Sequence, residues 1–486
     1  MKTPHLPFLL LGLLAAAPRP APAQGAPPLQ AALATVDAGE IRSDLEFIAA
    51  DELRGRDTVS RGQRIAARYL RARLQRLGFR PGAGDRYLYE YPLESRTLDP
   101  ASLGATLARG GQERELVHGR DYQVVGGWAV TDLDTEGGVV FGGAGEREDL
   151  QAGEPAGNWL LVRWSGQNLW RLAWPARRAG AVGLLLATDP AAESEPVLEH
   201  FAGAGGLGDP RVSWPASTQG GQRRSPFPVL ALSDELAAEL LAGDPAPGAA
   251  LDAHLHERRA AVVEPVAAED VCGLWPGRDP ALRNEVILLS AHYDHVGASG
   301  KTIYNGADDN GSGTCGLLAV AEALAAYGPM RRSVLLIWVS GEEKGLWGSR
   351  AWAEQPLLPE GMRPVADINI DMIGRNAPET LFVTPSPEHD QYNRLTEVVQ
   401  RCAALEGFPA LGSADEYWGR SDHAMFARLG IPVCFLFAGE HEDYHRPTDT
   451  ADKIDYDKIR RVVRTVVRTL DALQEDDLSL APAAGD

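Results

Sequence analysis

Cysteine is scarce, with four residues in 486, at Cys272, Cys315, Cys402 and Cys434. Their spacing matches no zinc-knuckle pattern, and four thiols do not make a disulfide scaffold of a chain this long. Cys315 and Cys434 fall in apolar helix and strand patterns, where a buried free thiol is the ordinary state. One bridge among the four remains open for an oxidising compartment, with no pair indicated. Positive charge is also in deficit. Lys and Arg total 47 against 67 Asp and Glu, a formal net charge of −20. That argues against nucleic-acid binding, which needs a basic face. Long apolar runs are missing too. Only residues 8–17 (FLLLGLLAAA) stand out, and a membrane-spanning helix needs about 20 residues.

That run reads as a targeting segment. Lys2 and His5 precede it, and Ala21-Pro22-Ala23 offers a small-residue cleavage site before Gln24. Residues 1–23 are therefore read as a signal peptide. The mature protein is expected to be soluble and exported, periplasmic or secreted, with no stable membrane anchor. No cysteine lies near the cleavage site to carry a lipid.

What remains is a folded composition, 44% hydrophobic and 23% charged, long enough for two substantial cores. Residues 24–35 are rich in Pro, Ala and Gln and read as a disordered lead, with folding from about Val36. A helix is expected over 41–50. A second, over 60–77, has Ile65, Tyr69, Leu70, Leu74 and Leu77 at helical spacing and Gly78 to close it. Between about 100 and 265 the character shifts. Short β-like pieces (GGVVFGG, NWLLVRW, AVGLLLA, FPVLALS) dominate, with helices over 169–179 and 234–242. From Val271 strands over 285–291, 333–340, 365–371, 380–384 and 432–437 alternate with helices over 312–327, 348–354, 390–405, 421–429 and 456–474. This alternation predicts an α/β domain in three layers, a mostly parallel-centred sheet with helices on both faces. The expected division is 36–100 with 266–475 for that domain, 101–265 for an inserted mostly-β domain, and 476–486 for a disordered tail.

Residues 290–313 organise the chemistry. The apolar strand over 285–289 leads to His292, Asp294 and His295, and a Gly-rich turn then brings Asp308, Asp309 and Asn310 to a helix start. Open α/β sheets place their sites at this edge, outside the carboxyl ends of the strands. The strand SVLLIWVS runs into Glu342-Glu343, VADINID ends on Asp371, and the loop after PVCFLF carries His441, Tyr444 and His445. Helix capping explains Asp309 and Ser312 taken alone. It does not explain carboxylates at several strand ends without cations, because unpaired buried charge is costly. A pair of metal ions supplies the counter-charge. Two imidazoles, three carboxylates and no thiolate suit zinc. Two ions about 3.5–4 Å apart can share a bridging carboxylate and a bridging water. A further carboxylate must then move the proton, and adjacent Glu342 and Glu343 suit that division of roles.

In order, HxD, GADDNGSG, SGEExGLxGS, NIDMIG and YHxxxDT resemble the co-catalytic di-zinc exopeptidase family, which includes bacterial aminopeptidase S, leucyl aminopeptidases, plasma glutamate carboxypeptidase and the zinc glutaminyl cyclases. The motifs span about residues 285–450. The stretch LRGR with the helix after it resembles the family's opening. Residues 100–265 resemble an inserted protease-associated domain, through FPVLALS and RRAGAVGLLLA. The resemblance implies two Zn2+ ions per chain, with His292 and Asp371 on one, Glu343 and His445 on the other, and Asp309 bridging. It implies Asp294 as the carboxylate that orients His292, Glu342 as general base and then acid, and Tyr444 as a hydrogen-bond donor to the oxyanion. Asp308 occupies a variable position and stays outside the set. Ser421-Asp422-His423 matches an SDHxxF segment and is read as an N-cap.

The implied reaction is hydrolysis of a terminal peptide bond by zinc-bound hydroxide, with peptides as substrates. An aminopeptidase is expected first, with Tyr417, Trp418, Met425 and Phe426 as candidates for an apolar pocket. Glu342 and Asp371, and more weakly Asp415 and Glu416, could hold an α-ammonium. A carboxypeptidase or dipeptidase would need a cation, for which Arg375, Arg420 and Arg446 are candidates. A glutaminyl cyclase and a ligand-binding scaffold are remoter alternatives. The ligand positions are all filled, which disfavours a scaffold.

Overall fold

Four strands lie side by side and parallel at the centre of the main sheet, in the order Ser333–Val339, Glu285–His292, Arg363–Asp371 and Val433–Phe437. The computed structural model describes residues 27–125, 130, 132–149, 153–192, 195–202, 210–215, 227–476, 478 and 480. The expected signal segment and most of the 476–486 tail lie outside them.

Three of the central strands are largely apolar on both faces, as burial between two helical layers requires. Arg363–Asp371 instead turns Ala366, Ile368 and Ile370 to one core and carries Asp367 and Asn369 on its other face, where both accept from Ser290 Oγ. Ile287, Leu289 and Ala291 enter one core with Val334, Leu336 and Trp338. Val286 and Leu288 enter the opposite core with Leu335, Ile337 and Val339. The first face is covered by helices Arg61–Leu77, Gly313–Tyr327, Arg394–Leu405 and Tyr456–Ala472, and the second by Trp347–Glu354 and His423–Ala427. Antiparallel strands flank the centre. Phe382–Thr384 pairs with Val433–Phe437 on one side, and Ala261–Trp275 pairs with Ser333–Val339 on the other. The result is a mixed, parallel-centred sheet of ten strands.

Leu88–Leu98 and Ala261–Trp275 pair antiparallel from Leu88 opposite Val271 to Leu98 opposite Ala261. This two-stranded ribbon carries the chain away from the main sheet and back. Between its arms lies an eight-stranded second sheet, whose strands Leu133–Phe141, Trp159–Trp164, Gly183–Thr188 and Val229–Leu232 run parallel. Its two faces have their own cores. Arg211–Ser213, also from this stretch, pairs instead with Glu94, Ser95 and Arg96 of the ribbon.

Residues 28–35, expected as part of a disordered lead, form the helix Pro28–Thr35. Ala32 and Leu33 are buried against the core of the first domain, and the Leu33 carbonyl accepts from Arg464 at 2.9 Å. An Ala-rich segment is a good helix former once a packing surface exists. The helix expected from residue 60 is Arg61–Leu77, with Ser60 Oγ accepting the Gln63 N–H and Gly78 closing it at φ 87°. All four cysteines are free and buried, so the open possibility of a bridge is not realised.

Candidate metal centre

The parallel register puts the carboxyl ends of the central strands at one edge. His292 is level with Val339, just before Glu342 and Glu343, and Asp371 is level with Phe437. The turn Ala307–Ser312 then carries Asp309 into the same space. His292 Nε2 lies 3.2 Å from Asp371 Oδ1 and 3.4 Å from Asp309 Oδ1. On the other side of Asp309, His445 Nε2 lies 3.1 Å from Asp309 Oδ2 and 3.0 Å from Glu343 Oε2. His295 Nδ1 is 2.7 Å from Glu343 Oε1 and 3.8 Å from Asp309 Oδ2. Two clusters, His292–Asp309–Asp371 and His295–Asp309–Glu343, thus share Asp309, with ligand atoms in each within 4.8 Å of one another.

The backbone of this edge is pinned by buried polar side chains. Arg56, wholly buried, donates to the carbonyls of Ile48, Tyr293, Asn305 and Gly306. It joins the strand end to the turn before Asp309. Its neighbour Gly55 has φ 68°, and a Cβ there would meet the carbonyls of Gly297 and Tyr304 at 2.3 Å, so only glycine fits. Asp449 accepts the N–H groups of Asp308 and Asp309 at 3.1 Å. Asn310 Oδ1 accepts from Gly313 and Met372, and its Nδ2 donates to Ile370 O.

Charge accounts for the rest of the arrangement. Burial raises Glu342 well above the ordinary carboxylate range, against His292 and with Asp422, Glu343 and Asp371 adding to the rise. Burial likewise raises Asp371. Burial also opposes charge on Asp309 and Glu343, but the adjoining imidazoles outweigh it and hold both below their ordinary range. Burial works against protonation of His445, yet Asp309 and Glu343 lift its pKa to about 10. The pocket therefore demands positive charge. Asp309 Oδ2, Glu343 Oε1 and both ring nitrogens of His295 are buried without a hydrogen-bond partner among the described residues. Orphaned donors of nitrogen and oxygen, with no thiolate, fit divalent zinc-type cations.

The five expected ligands, His292, Asp309, Glu343, Asp371 and His445, converge here. Asp294 lies beside His292, as expected, and has further partners. Its Oδ1 approaches His292 Nδ1 only to 3.7 Å, and that nitrogen meets the Asp294 backbone carbonyl at 3.2 Å. The carboxylate also accepts from Thr58 Oγ1 at 2.9 Å and from the Glu342 N–H at 3.3 Å. Tyr444 stacks on His445 at 3.9 Å and lines one cavity with Glu342, Asp309 and Asp371.

Two residues escaped the expected set. His295 joins the second cluster, and its only sequence signal was its place one residue after Asp294. Ser421, read as part of an N-cap, leaves the cap position to Asp422, whose side chain makes no cap hydrogen bond. Ser421 donates to Asp371 Oδ2 at 2.9 Å and accepts from Asn369. The expected apolar pocket is also redrawn. Tyr417 lines the cavity with Met372, Phe435 and Phe437, whereas Phe426 packs on Trp352 in the core, Trp418 packs on His389 and Met425 is buried with Leu346. Asp415 is occupied by Thr384 and Ser386. Arg375 is paired with Asp443 at 2.9 Å, and Arg420 with Glu440 at 2.9 Å.

Residues 270–470 match the model of Peptidase family M28. A protein named "Probable leucine aminopeptidase" from Arthroderma otae is 30% identical over 200 residues, 39% of this chain and 54% of its own length. The chain thus spans about half the length of that curated relative. The structure of an aminopeptidase from Aneurinibacillus sp. strain AM-1 matches with a TM-score of 0.57 at 20% identity, over 94% of this chain and 98% of that one. BSAP, a zinc aminopeptidase from Bacillus subtilis, matches with a TM-score of 0.54 at 19% identity, over 90% of this chain and 96% of that one. At these identities the two structures establish a shared α/β fold.

Proposed function

We propose that this chain, whose residues 270–470 match the model of Peptidase family M28, is a zinc-dependent exopeptidase, an aminopeptidase that removes N-terminal residues from peptides. The observation that carries this reading is the pair of donor clusters sharing Asp309, with Glu342 and Tyr444 lining the same cavity as Asp309 and Asp371. His292 and Asp371 would hold one ion and Glu343 and His445 the other, with Asp309 available to both. Zinc bound there supplies Lewis acidity towards water and the scissile carbonyl.

The chain's own groups do the rest. Glu342 takes the proton of the attacking water at its carboxylate and returns it to the leaving amine. Tyr444 donates its hydroxyl to the carbonyl oxygen as charge grows there. Burial raises the Tyr444 pKa, so it stays a donor at neutral pH. Asp294 acts by holding the Glu342 backbone.

The acidic lining supports amino-terminal polarity. Glu342, Asp371 and Glu440 face the cavity, a setting for an α-ammonium. Two of the candidate cations for a substrate carboxylate are already engaged, Arg375 by Asp443 and Arg420 by Glu440, and the Arg420 guanidinium also lies 4.7 Å over the Tyr417 ring. Met372, Tyr417, Phe435 and Phe437 favour an apolar first side chain. A neighbouring cavity of about 440 Å3 shares Tyr417, Phe437 and Glu440 with this one and extends the space available. We read the second sheet as a protease-associated module governing substrate access, and residues 1–23 as an export signal that sends the protein to the periplasm or beyond.

A paired digest after zinc loading tests the polarity. One peptide carries an acetylated N-terminus and a free carboxylate, the other a free amine and an amidated C-terminus. Loss of N-terminal residues from the free-amine peptide alone is expected. Trimming of the acetylated peptide from its C-terminus would replace the reading with a carboxypeptidase.

A further inference from the structure

We propose that His295 is a fourth protein donor, with Asp309, Glu343 and His445, of one of the two metal positions, which makes the pair chemically unequal. The inference rests on the zinc reading above and extends it.

His295 is wholly buried. Its Nδ1 stands 2.7 Å from Glu343 Oε1, yet neither atom has a hydrogen-bond partner. Two polar atoms that close, and out of line for a hydrogen bond, are directed at a common third atom. Leaving them orphaned would cost on the order of 1–3 kcal/mol for each group. Asp309 Oδ2 is orphaned in the same space, 3.8 Å from the same nitrogen. A lone buried histidine would instead be expected to bond a carbonyl or hydroxyl.

The ring is also seated by design of the backbone. Gly306 has φ 58°, and a Cβ there would lie 2.5 Å from His295 Cδ2 and 2.2 Å from the Asp309 carbonyl. Glycine leaves that space to the imidazole. The His295 N–H donates to the Arg56 carbonyl at 3.4 Å, and Arg56 also binds the carbonyl of Gly306. One buried arginine therefore fixes both the ring and the glycine that accommodates it.

The two positions then differ in kind. His295, Asp309 and Glu343 are shielded from solvent, and His445, with 38% of its side chain exposed, completes four donors. A four-donor tetrahedral set is the closed, structural type of zinc site. The His292 position has three protein donors, His292, Asp309 and Asp371, which leaves room for water or substrate, as in catalytic sites. The His295 position should fill first and empty last. The His292 position should exchange more readily and carry the substrate's carbonyl.

Metal binding decides this without reference to turnover. The apo-protein is titrated with Co2+, whose visible absorption reports coordination number, and bound ions are counted by mass spectrometry. Wild type should take two ions in separable steps, the first giving the intense absorption of a four-coordinate ion. His295→Ala should lose that first step, binding it at least about 100-fold more weakly, beyond the 10- to 100-fold effect of an outer-shell partner. It should keep a single ion at the His292 position, and that retained ion also shows that the variant is folded. A first step of unchanged spectrum, or one weakened less than 100-fold, would reduce His295 to a positioning residue and overturn the proposal. If His295→Ala does not fold, X-ray absorption of wild type at one zinc equivalent decides: two imidazoles are expected, and one overturns the proposal. Failure of wild type to bind any ion would instead sink the zinc reading itself.

Discussion

The backbone N–H of Glu342 donates to Asp294 Oδ1 at 3.3 Å, across 48 residues of chain. The same carboxylate accepts from Thr58 Oγ1. Asp294 therefore ties the end of one strand to the glutamate at the end of its neighbour. Asp294→Ala should lower kcat by about 10- to 100-fold, with zinc content retained, because Glu342 loses its position rather than its chemistry. The two orphaned donors should also cost roughly 1–3 kcal/mol of stability each. Metal analysis beside kcat separates this from loss of a ligand, since an Asp294 bound to zinc would take the ion with it.

Glu342→Gln keeps the shape of the side chain and removes its basicity. We expect kcat to fall by 10²- to 10⁴-fold while both ions stay bound. Substantial retained turnover would assign the proton transfer to another group.

Arg56 satisfies carbonyls of four residues from one buried guanidinium. Arg56→Lys replaces a planar fork with a point charge bearing fewer donors. The variant should lose roughly 2–4 kcal/mol in urea unfolding, from carbonyls left without donors. It should also bind zinc more weakly, because the backbone carrying His292, His295 and Asp309 loosens.

Chelation should lower the thermal midpoint of the protein, and zinc should restore it. Asp309, Glu343, Asp371 and Glu342 are held together at one edge, and an ion that binds only the folded state stabilises it by mass action. Calorimetry with and without chelator reads the shift directly, and an unchanged midpoint would place the stabilising charge elsewhere.

The second sheet should carry its own pH response. Glu257 and Arg259 lie 3.1 Å apart with no solvent exposure. Burial pushes the Glu257 pKa up to about 7, although Arg259 opposes the rise. An unfolded glutamate releases its proton near 4.5. Between these values the folded state holds more protons, so stability falls as pH rises from about 4.5 to 7, by up to roughly 3 kcal/mol. Glu257→Gln should flatten that slope in pH-dependent calorimetry. An unchanged slope would exclude Glu257 as its source.

The main sheet was legible because its strands are short, apolar and punctuated. The pieces expected at 285–291, 333–340 and 432–437 are close to the observed Glu285–His292, Ser333–Val339 and Val433–Phe437. The long ribbon Leu88–Leu98 with Ala261–Trp275 was not legible. Its residues include Glu90, Glu94, Arg96 and Glu264, which mask the apolar alternation of an exposed hairpin. The helix Pro28–Thr35 was hidden for a different reason. Its composition is compatible with disorder, and its partners lie hundreds of residues away.

The sequence by itself determined which residue types meet. Carboxylates and imidazoles stand at the ends of apolar runs, and parallel strands bring such ends to one edge whatever the details of packing. Only the tertiary structure decided what each group faces. It turned the Asp294 carboxylate to the Glu342 backbone, gave Ser421 to Asp371, paired Arg375 and Arg420 with carboxylates, and aimed His295 at Glu343 and Asp309. Side-chain partners are fixed by register, loop closure and the space a glycine leaves, and none of these is encoded in the spacing of a motif.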